Sequence, residues 1–205
     1  MNRINVLIFA DVTLPNNTAI KLFKDDIEQP KPRVVKKTSN GNLYIYDLEI
    51  SEPFEFASRY TISIMDYAFE RVDVSNATEF PEFDKLFAYN GNDLGCTYTK
   101  EATSFAVWSP LATAITLKIE LDDGSFKTFR MARGENGVYR LTMPGDWLNR
   151  RYHYRVEENG VKRETNDIYG KAVSLNSEWS VVVDQDQIFD FDFINASTDN
   201  TLLKS

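Results

Sequence analysis

Between Thr97 and Asp184 the sequence repeatedly switches between short apolar segments and tight-turn signals. The apolar segments are TSFAVWSP, AITLKIEL, SFKTFRMA, GVYRLTMP, RYHYRVEEN, VKRETN and WSVVVD. Turn signals separate them at 122–124 (Asp-Asp-Gly), 134–137, 144–146 (Pro-Gly-Asp) and 158–160 (Glu-Asn-Gly). Short strands at this spacing, joined by tight turns, are typical of a β-sandwich of immunoglobulin-like architecture.

The first part of the chain is also rich in strand signals. INVLIFADV, NLYIYDLEI and YTISIMDYAF are runs of β-branched and aromatic residues. In the second run the residues of one continuously apolar face are expected to be buried, because side chains alternate along a strand. These residues are Tyr44, Tyr46, Leu48 and Ile50. The basic residues at 31–37 precede an Asn-Gly pair, which predicts a solvated hairpin and not a binding patch.

Residues 79–95 separate the two β-rich parts. The segment PEFDKLFAY predicts a short helix that begins near Pro81, because the first helical turn does not need the N–H that proline lacks. Asn and Gly residues then interrupt the chain before Gly95. The sequence therefore predicts an all-β fold with two β-sandwich domains, the second immunoglobulin-like. We place the amino-terminal β domain at 1–87, the second module at 88–184, and a tail or linker remnant at 185–205.

The charge balance limits the partners that we expect. The chain has 23 Lys and Arg residues against 31 Asp and Glu residues, a net charge of -8 and a pI near 4.8. Nucleic-acid binding needs a basic face, so a nucleic-acid partner is not expected. The first apolar run is typical of a strand and not of a signal peptide, because no cleavage pattern follows it. No run is long enough to span a membrane, and we expect a soluble, cytoplasmic protein.

Residues that could catalyse a reaction or bind a metal are few. The chain has one histidine, His153, and one cysteine, Cys96, so an intramolecular disulfide is impossible and a zinc site is not expected. The aspartates from Asp184 to Asp192 lack the glycine turn and terminal glutamate of a calcium loop. Alternation places His153 on the exposed face of its strand, and nothing nearby supports a Ser-His-Asp device. The sequence predicts no catalytic residue, no metal site and no cofactor.

The three tryptophans are the remaining candidates for ligand binding, because sugars stack their apolar faces on exposed aromatic rings. Trp108 alternates with small residues and is expected to pack in the core or between the two domains. Trp147 lies at a turn beside Asp146 and Asn149, and Trp179 precedes the last strand. We predict that Trp147 and Trp179 bind carbohydrate, with a packing role as the alternative for each.

Several motifs occur in the order found in type I pullulanases, the α-1,6-debranching enzymes of the α-amylase superfamily. AYNGNDLGCTYTKEATSFAVWSP resembles the start of their starch-binding-like sandwich, carbohydrate-binding module family 48. The matching residues are Tyr89, Gly91, Leu94, Gly95, Tyr98, Phe105, Val107, Trp108 and Pro110. ARGENGVYRLTMPGDWLNRRYHYRV resembles the next part of the module, and NDIYGKAVSLNSEWSVVVD resembles its exit. The resemblance covers most of 88–184, and residues 1–87 resemble the smaller β domain that precedes the module.

The exit segment departs from the family pattern. Ile168 stands where the family has Pro, Gly170 where it has Ala, and Ser177 where it has the Gly of an Asn-Gly turn. Trp179 replaces a basic residue. Asn149 replaces a Gly, which Asn can do because it tolerates positive φ. In the family the exit leads to a (β/α)₈ barrel with an Asp nucleophile and a Glu acid, and none of the barrel's catalytic motifs matches a residue here.

The resemblance implies the non-catalytic amino-terminal region of a pullulanase-like debranching glycoside hydrolase. Such a region would pack on the catalytic barrel and hold an α-glucan of the starch, glycogen or pullulan type. Two alternatives stay open: a stand-alone α-glucan-binding module, and a sandwich for protein interaction that has no sugar affinity. The sequence does not decide between a fragment and a short protein. Exposure of Trp147 and Trp179 tests the binding module, because buried rings would leave it without a platform.

Overall fold

The structure is a computed structural model that describes residues 3–9, 17–65, 68–158, 160–174 and 178–185. Two compact units are present. The first comprises Met1–Ala88, Ser109–Ala114 and Val156–Lys162, and the second comprises Tyr89–Trp108, Ile115–Arg155 and Arg163–Ser205. Because each unit contains several stretches of chain, the predicted domains 1–87, 88–184 and 185–205 stay a prediction. Residues 186–205, most of the predicted tail, lie outside the described residues.

Two antiparallel sheets form the β-rich part before the helix. Their strands are β1 (Arg3–Phe9), β2 (Ile20–Lys24), β3 (Ile27–Glu28), β4 (Arg33–Asn40), β5 (Leu43–Glu49), β6 (Tyr60–Ile64) and β7 (Ala68–Arg71). One sheet has the order β1-β5-β4 and the other the order β3-β2-β6-β7. The basic strand β4 is largely exposed and pairs with β5 as a hairpin, which confirms the hairpin prediction.

The apolar face predicted for β5 lies at the centre of the core between these sheets. Tyr44, Tyr46, Leu48 and Ile50 are all buried, and Leu48 is completely so. They cluster with residues of the facing sheet, which are Ile20, Leu22, Tyr60 and Ile62. Burying an aliphatic side chain such as Leu48 or Ile50 contributes about 1.5–3 kcal/mol, so this face stabilises the first sandwich.

The predicted short helix is present as α1 (Pro81–Phe87), after a 3-10 helix at Ser75–Glu79. It begins at Pro81, in agreement with the prediction. Phe83 is buried and packs edge-on against Phe56, with ring centroids 5.8 Å apart. Phe87 contacts the same Phe56 ring at 5.4 Å. An aromatic cluster therefore holds the helix.

The remaining strands form two further sheets. They are β8 (Gly95–Tyr98), β9 (Ala102–Trp108), β10 (Ala114–Glu120), β11 (Phe126–Arg130), β12 (Ala132–Arg133), β13 (Val138–Pro144), β14 (Arg151–Glu158), β15 (Val161–Thr165) and β16 (Ser180–Val181). A 3-10 helix at Glu135–Gly137 precedes β13. One sheet has the order β12-β13-β9-β8 and the other the order β11-β10-β14-β15, with β16 paired to β14.

These two sheets pack face to face. Ile115, Leu117 and Ile119 alternate along β10 and are completely buried. Phe105 on β9 meets Tyr152 on β14 edge-on, with ring centroids 5.1 Å apart, so the two sheets share one core. The predicted all-β fold with two β-sandwiches, the second immunoglobulin-like, is confirmed. No helix in the described part of the chain has the length and hydropathy of a membrane span.

Candidate functional site

Trp147 lies in the short connection between β13 and β14. Gly145 opens this turn with a φ of +96°, which glycine adopts readily because it has no Cβ. Asn149 follows with a φ of +63°, as expected for an Asn that takes the place of a glycine. The indole Nε1–H of Trp147 donates to the carbonyl oxygen of Pro144 at 3.0 Å. The turn therefore fixes the ring, which is half-exposed.

The turn between β10 and β11 lies on the other side of a cleft from the turn that carries Trp147. Gly124 gives this turn its positive φ of +80°. An Asp123 oxygen accepts hydrogen bonds from the Ser125 hydroxyl at 2.6 Å and from the Ser125 backbone N–H at 2.9 Å. These bonds lower the pKa of the Asp123 carboxyl, the hydroxyl bond contributing most. Asp123 is therefore ionised at neutral pH and locks its own turn.

A cleft of about 430 Å³ lies between the two turns. We call it the Trp147 cleft. Its chemistry comes from one indole, three carboxylates and one guanidinium, which are Trp147, Asp122, Asp123, Asp146 and Arg150. Arg150 forms an ion pair with Asp122, so the two turns are joined across the cleft. The volume is within the range of about 300–1,000 Å³ that is usual for ligand pockets.

Asp146 is a second fixed acceptor in the Trp147 cleft. Its Oδ1 accepts hydrogen bonds from the Leu148 backbone N–H at 3.0 Å and from the Tyr98 hydroxyl at 2.8 Å. The Leu148 bond and then the Tyr98 bond lower the pKa of the Asp146 carboxyl, so it is ionised at neutral pH. An ionised carboxylate only accepts hydrogen bonds. A fixed acceptor beside a half-exposed indole suits a ligand with an apolar face and hydroxyl groups at its edge.

Trp179 is placed differently, in a stack of three rings that we call the Trp179 column. Phe126 lies 4.4 Å from the indole centroid at an interplanar angle of 24°, and His153 lies 4.2 Å from it at 7°. Two rings this close and this parallel to the indole would collide if they shared a face, so they cover opposite faces. Lys118 Nζ adds a cation 5.4 Å from the same ring. Only the edge of Trp179 remains for a ligand.

The expectation that His153 is exposed is wrong. Its side chain is only 8% exposed, because the Trp179 indole lies over the imidazole. His153 Nε2 lies 3.3 Å from an oxygen of Glu164 but makes no hydrogen bond. Burial lowers the pKa of His153, and the Glu164 carboxylate opposes this only in part. The imidazole is therefore neutral at neutral pH.

The structure keeps the two candidate tryptophans apart. Trp147 and Trp179 line separate pockets that share no residue. Both rings are half-exposed, so neither is a buried core residue. Trp108, at the end of β9, is half-buried, so its packing in the core or between domains stays a prediction. The assignment of Trp147 and Trp179 to carbohydrate binding stays a prediction, but the covered faces of Trp179 restrict it to edge contacts.

Sequence reasoning missed a buried carboxylate in the exit segment. Asp167 is 5% exposed and accepts hydrogen bonds from the hydroxyls of Tyr152 at 2.8 Å and Tyr154 at 3.4 Å. Its own backbone N–H donates to the Ser180 hydroxyl at 2.9 Å. Burial raises the pKa of Asp167, although hydrogen bonds from the Tyr169 backbone N–H and from the two tyrosine hydroxyls oppose it. Asp167 therefore ties the exit to the sandwich core. Two buried tyrosines on one strand were the only signal that a polar partner was needed.

Catalytic and metal chemistry has little support in the described ranges. No three His, Cys, Asp or Glu side chains there are grouped closely enough to hold a metal ion. Burial raises the pKa of the Cys96 thiol to about 12, so the thiol stays protonated. Three of the four aspartates considered for calcium, those after Asp184, lie outside the described residues.

Residues 93–186 match the family model of carbohydrate-binding module 48 (Isoamylase N-terminal domain). Both the Trp147 cleft and the Trp179 column lie within this range. Over 106 residues the chain is 42% identical to the pullulanase of Bacillus subtilis (strain 168), which is 52% of this chain and 15% of that protein. Over 91 residues it is 33% identical to the 1,4-alpha-glucan branching enzyme GlgB of Jannaschia sp. (strain CCS1), 44% of this chain and 13% of that protein.

The fold of the chain is also similar to that of solved pullulanases. The pullulanase from Anoxybacillus sp. LM18-11 superposes with a TM-score of 0.82 at 28% identity, over 91% of this chain and 27% of that chain. Pullulanase type I from Bacillus subtilis str. 168, complexed with maltose, gives a TM-score of 0.78 at 30% identity, over 90% and 26%. The resemblance to the amino-terminal region of type I pullulanases is confirmed. The chain spans about a quarter of the length of these structures.

Proposed function

We propose that the chain is the non-catalytic amino-terminal region of a pullulanase-like glycoside hydrolase that debranches α-1,6-linked glucan. In this proposal the chain holds α-glucan in the Trp147 cleft. The observation that carries it is the half-exposed indole of Trp147 beside ionised acceptors in a ligand-sized cleft. The ligand class is supported by similar pullulanases whose structures are complexes with maltose and with maltotriose.

The cleft would hold a glucosyl ring by two kinds of contact. The Trp147 indole would stack on the apolar face of the ring, because no aromatic ring among the described residues stacks on Trp147. Asp122 and Asp146 would accept hydrogen bonds from sugar hydroxyls, and Arg150 would donate them. Hydrogen bonds to charged groups are stronger than neutral ones, so a few of them can fix the ring's orientation.

Packing against a catalytic barrel is the second part of the proposal. Two apolar side chains of the exit segment are largely exposed, Ile168 at 76% and Val173 at 53%. Largely exposed apolar side chains suit a surface that another domain covers. The similar region is only 27% of the matched Anoxybacillus structure, so that protein has much further chain. In this proposal the exit segment is the place where a barrel packs.

Calorimetric titration with maltotriose tests the cleft. The wild-type chain should bind saturably without releasing reducing sugar from pullulan. Trp147→Ala should lose at least about tenfold in affinity, equivalent to about 1.4 kcal/mol. Trp147→Phe keeps an aromatic face and should lose less. Absence of maltotriose binding by a folded wild-type chain would contradict the glucan-holding role, and pullulan hydrolysis by the pure chain would contradict a non-catalytic one.

A further inference from the structure

Asn-Gly pairs occur in the sequence at 40–41, 90–91, 136–137 and 159–160. An asparagine before a glycine can react with its own backbone, because glycine has no side chain to hinder its nitrogen. In this reaction the glycine nitrogen attacks the carbonyl carbon of the asparagine side chain. The backbone must rotate for the two atoms to meet, so the fold determines which pair reacts.

The first pair lies at the tip of the β4–β5 hairpin. Asn40 ends β4 and pairs with Leu43, so the loop consists of Gly41 and Asn42. Asn40, Gly41 and Asn42 are all exposed. A Cβ added to Gly41 would meet no atom of the described residues within 4 Å. The backbone of this pair is therefore free to rotate without displacing a neighbour.

Glycines of two other pairs are packed against side chains. A Cβ added to Gly91 would lie 2.1 Å from the Tyr89 hydroxyl oxygen, so the Tyr89 ring fills that space. The same hydroxyl accepts a hydrogen bond from Arg140 Nη2 at 2.8 Å, which holds the ring in place. Of the last pair only Gly160 is described, and a Cβ there would lie 2.7 Å from the Arg71 guanidinium carbon. These two glycines have much less room than Gly41.

The pair at 136–137 is held by its local fold. Asn136 and Gly137 belong to the 3-10 helix at Glu135–Gly137, and Gly137 is buried. The Val138 backbone N–H donates to the Glu135 carbonyl oxygen and closes this turn. A packed segment of this kind reacts only after it opens locally, and that opening costs free energy.

We propose that Asn40 is a site of spontaneous deamidation, which weakens the β4–β5 hairpin as the protein ages. The Gly41 nitrogen forms a bond to Cγ of Asn40, and the bond from Cγ to the amide nitrogen breaks. Ammonia leaves with the proton from the Gly41 N–H, and a succinimide ring remains. Water then adds to either carbonyl carbon of the ring and breaks its bond to the ring nitrogen. The products are aspartate and isoaspartate, and water is the only co-reactant.

The isoaspartate product changes the hairpin because the main chain then runs through the former side chain. This adds a backbone atom between Asn40 and Gly41, in a hairpin whose register depends on the length of its loop. The pair of Asn40 with Leu43 should therefore be lost. The new negative charge has a smaller effect, because it lies on the strand that carries Arg33, Lys36 and Lys37. The inference does not depend on any ligand of the Trp147 cleft.

The experiment follows the wild-type chain at mildly basic pH, which favours loss of the Gly41 N–H proton. Peptide mass spectrometry measures conversion at each asparagine, and electron-transfer fragmentation distinguishes isoaspartate from aspartate. Asn90 and Asn136 are internal controls for an Asn-Gly pair in a packed site. Asn42 is the control for exposure alone, because it lies in the same loop but precedes Leu43. A parallel sample in urea that unfolds the chain removes the effect of the fold.

We expect Asn40 to convert at least about fivefold faster than Asn90 and Asn136 in the folded chain, because the packed pairs must first open. In urea the three should convert at similar rates. Equal rates in the folded chain would overturn the proposal, and so would conversion of Asn42 as fast as that of Asn40. A preference for Asn40 that persists in urea would show that local sequence selects it, and would overturn the structural argument.

A second measurement tests the effect on the hairpin. The urea midpoint, followed by far-ultraviolet circular dichroism, should fall in the aged wild-type chain. It should not fall in aged Asn40→Gln, whose longer side chain cannot form the succinimide. Freshly prepared Asn40→Asp has the charge without the extra backbone atom and should keep the wild-type midpoint. An unchanged midpoint after conversion of Asn40 to isoaspartate would overturn the weakening of the hairpin.

Discussion

Trp147 and Trp179 are both half-buried, but their surroundings differ. Trp147 belongs to a turn, uses its indole N–H within that turn and faces a cleft with ionised acceptors. Trp179 has both faces covered by Phe126 and His153. Exposure alone therefore does not identify a sugar platform. The decisive property is whether a face of the ring is left for the ligand.

The largest expected difference between the two tryptophans is in stability. Removing a buried Trp side chain costs about 3–5 kcal/mol, and the half-exposed Trp179 should cost about 2 kcal/mol because it is the middle ring of its column. Trp147→Ala should cost less than about 1 kcal/mol, as expected for a surface side chain. Urea unfolding at equilibrium measures both. A larger loss of unfolding free energy for Trp147→Ala than for Trp179→Ala would contradict this prediction.

Lowering the pH should reduce the stability that the Trp179 column contributes and should leave the Trp147 cleft unaffected. Burial lowers the pKa of His153 in the folded chain below its value of about 6.5 in the unfolded chain, so protonation favours unfolding. The stability that the neutral imidazole contributes is complete above about pH 6.5 and is lost as the pH falls towards the folded pKa. Glu164 opposes this loss, whereas Lys118 and Arg155 increase it.

The measurement is the urea midpoint at pH values of about 7.5 and 5.5, on either side of the ordinary histidine pKa. The wild-type chain and Trp147→Ala should lose stability by similar amounts on acidification, and His153→Phe should lose less. An equal loss in His153→Phe would show that other groups cause the effect. His153 is the one histidine of the chain, so its titration is also unambiguous in an NMR spectrum.

The turn that carries Trp147 should respond to changes at Asn149, whose φ is +63°. Asn149→Ala should cost about 1 kcal/mol, because a Cβ-bearing residue without a local polar side chain is strained in the left-handed region. Asn149→Gly should change stability by less than about 0.5 kcal/mol. Maltotriose affinity should fall in the Ala variant and persist in the Gly variant. If the two variants bind maltotriose equally well, ligand binding in the cleft does not depend on the geometry of this turn.

The smallest effect is expected at Lys118, whose Nζ lies 5.4 Å from the Trp179 ring and 5.6 Å from the Phe126 ring. Exposed cation–π contacts contribute about 0.5–1 kcal/mol, so Lys118→Met should cost about 0.5 kcal/mol and leave the Trp147 cleft unaffected. Lys85→Met, in α1, is the control and should have no effect on either region. A cost above that of Trp179→Ala would assign the column's stability to the cation instead of the rings.

Features set by neighbouring residues were predictable from the sequence. The buried face of β5 follows from strict alternation, and the start of α1 follows from a proline at the first helical position. The positive φ of Asn149 follows from its place in a turn where a glycine is usual. Each of these depends on a few adjacent residues, whose local preferences agree with the fold.

Features set by distant residues were not predictable. Alternation correctly placed His153 opposite the buried tyrosines of β14, yet the imidazole is buried because Trp179, 26 positions later, lies over it. The Trp147 cleft likewise contains an ion pair between Asp122 and Arg150, which belong to different turns. Strand periodicity defines the two faces of a sheet, but it does not show which later segment covers a face.

The distribution of the tryptophans gives the chain an internal optical label. Trp108, Trp147 and Trp179 all belong to the second compact unit, and the sequence has three tryptophans in total. Indole emission therefore reports on the second unit alone, whereas far-ultraviolet circular dichroism reports on the strands of both. Coincident transitions by the two signals would mean that the units unfold together, and separate transitions would give each unit its own free energy of unfolding. A single unlabelled sample thus measures the coupling between the two sandwiches.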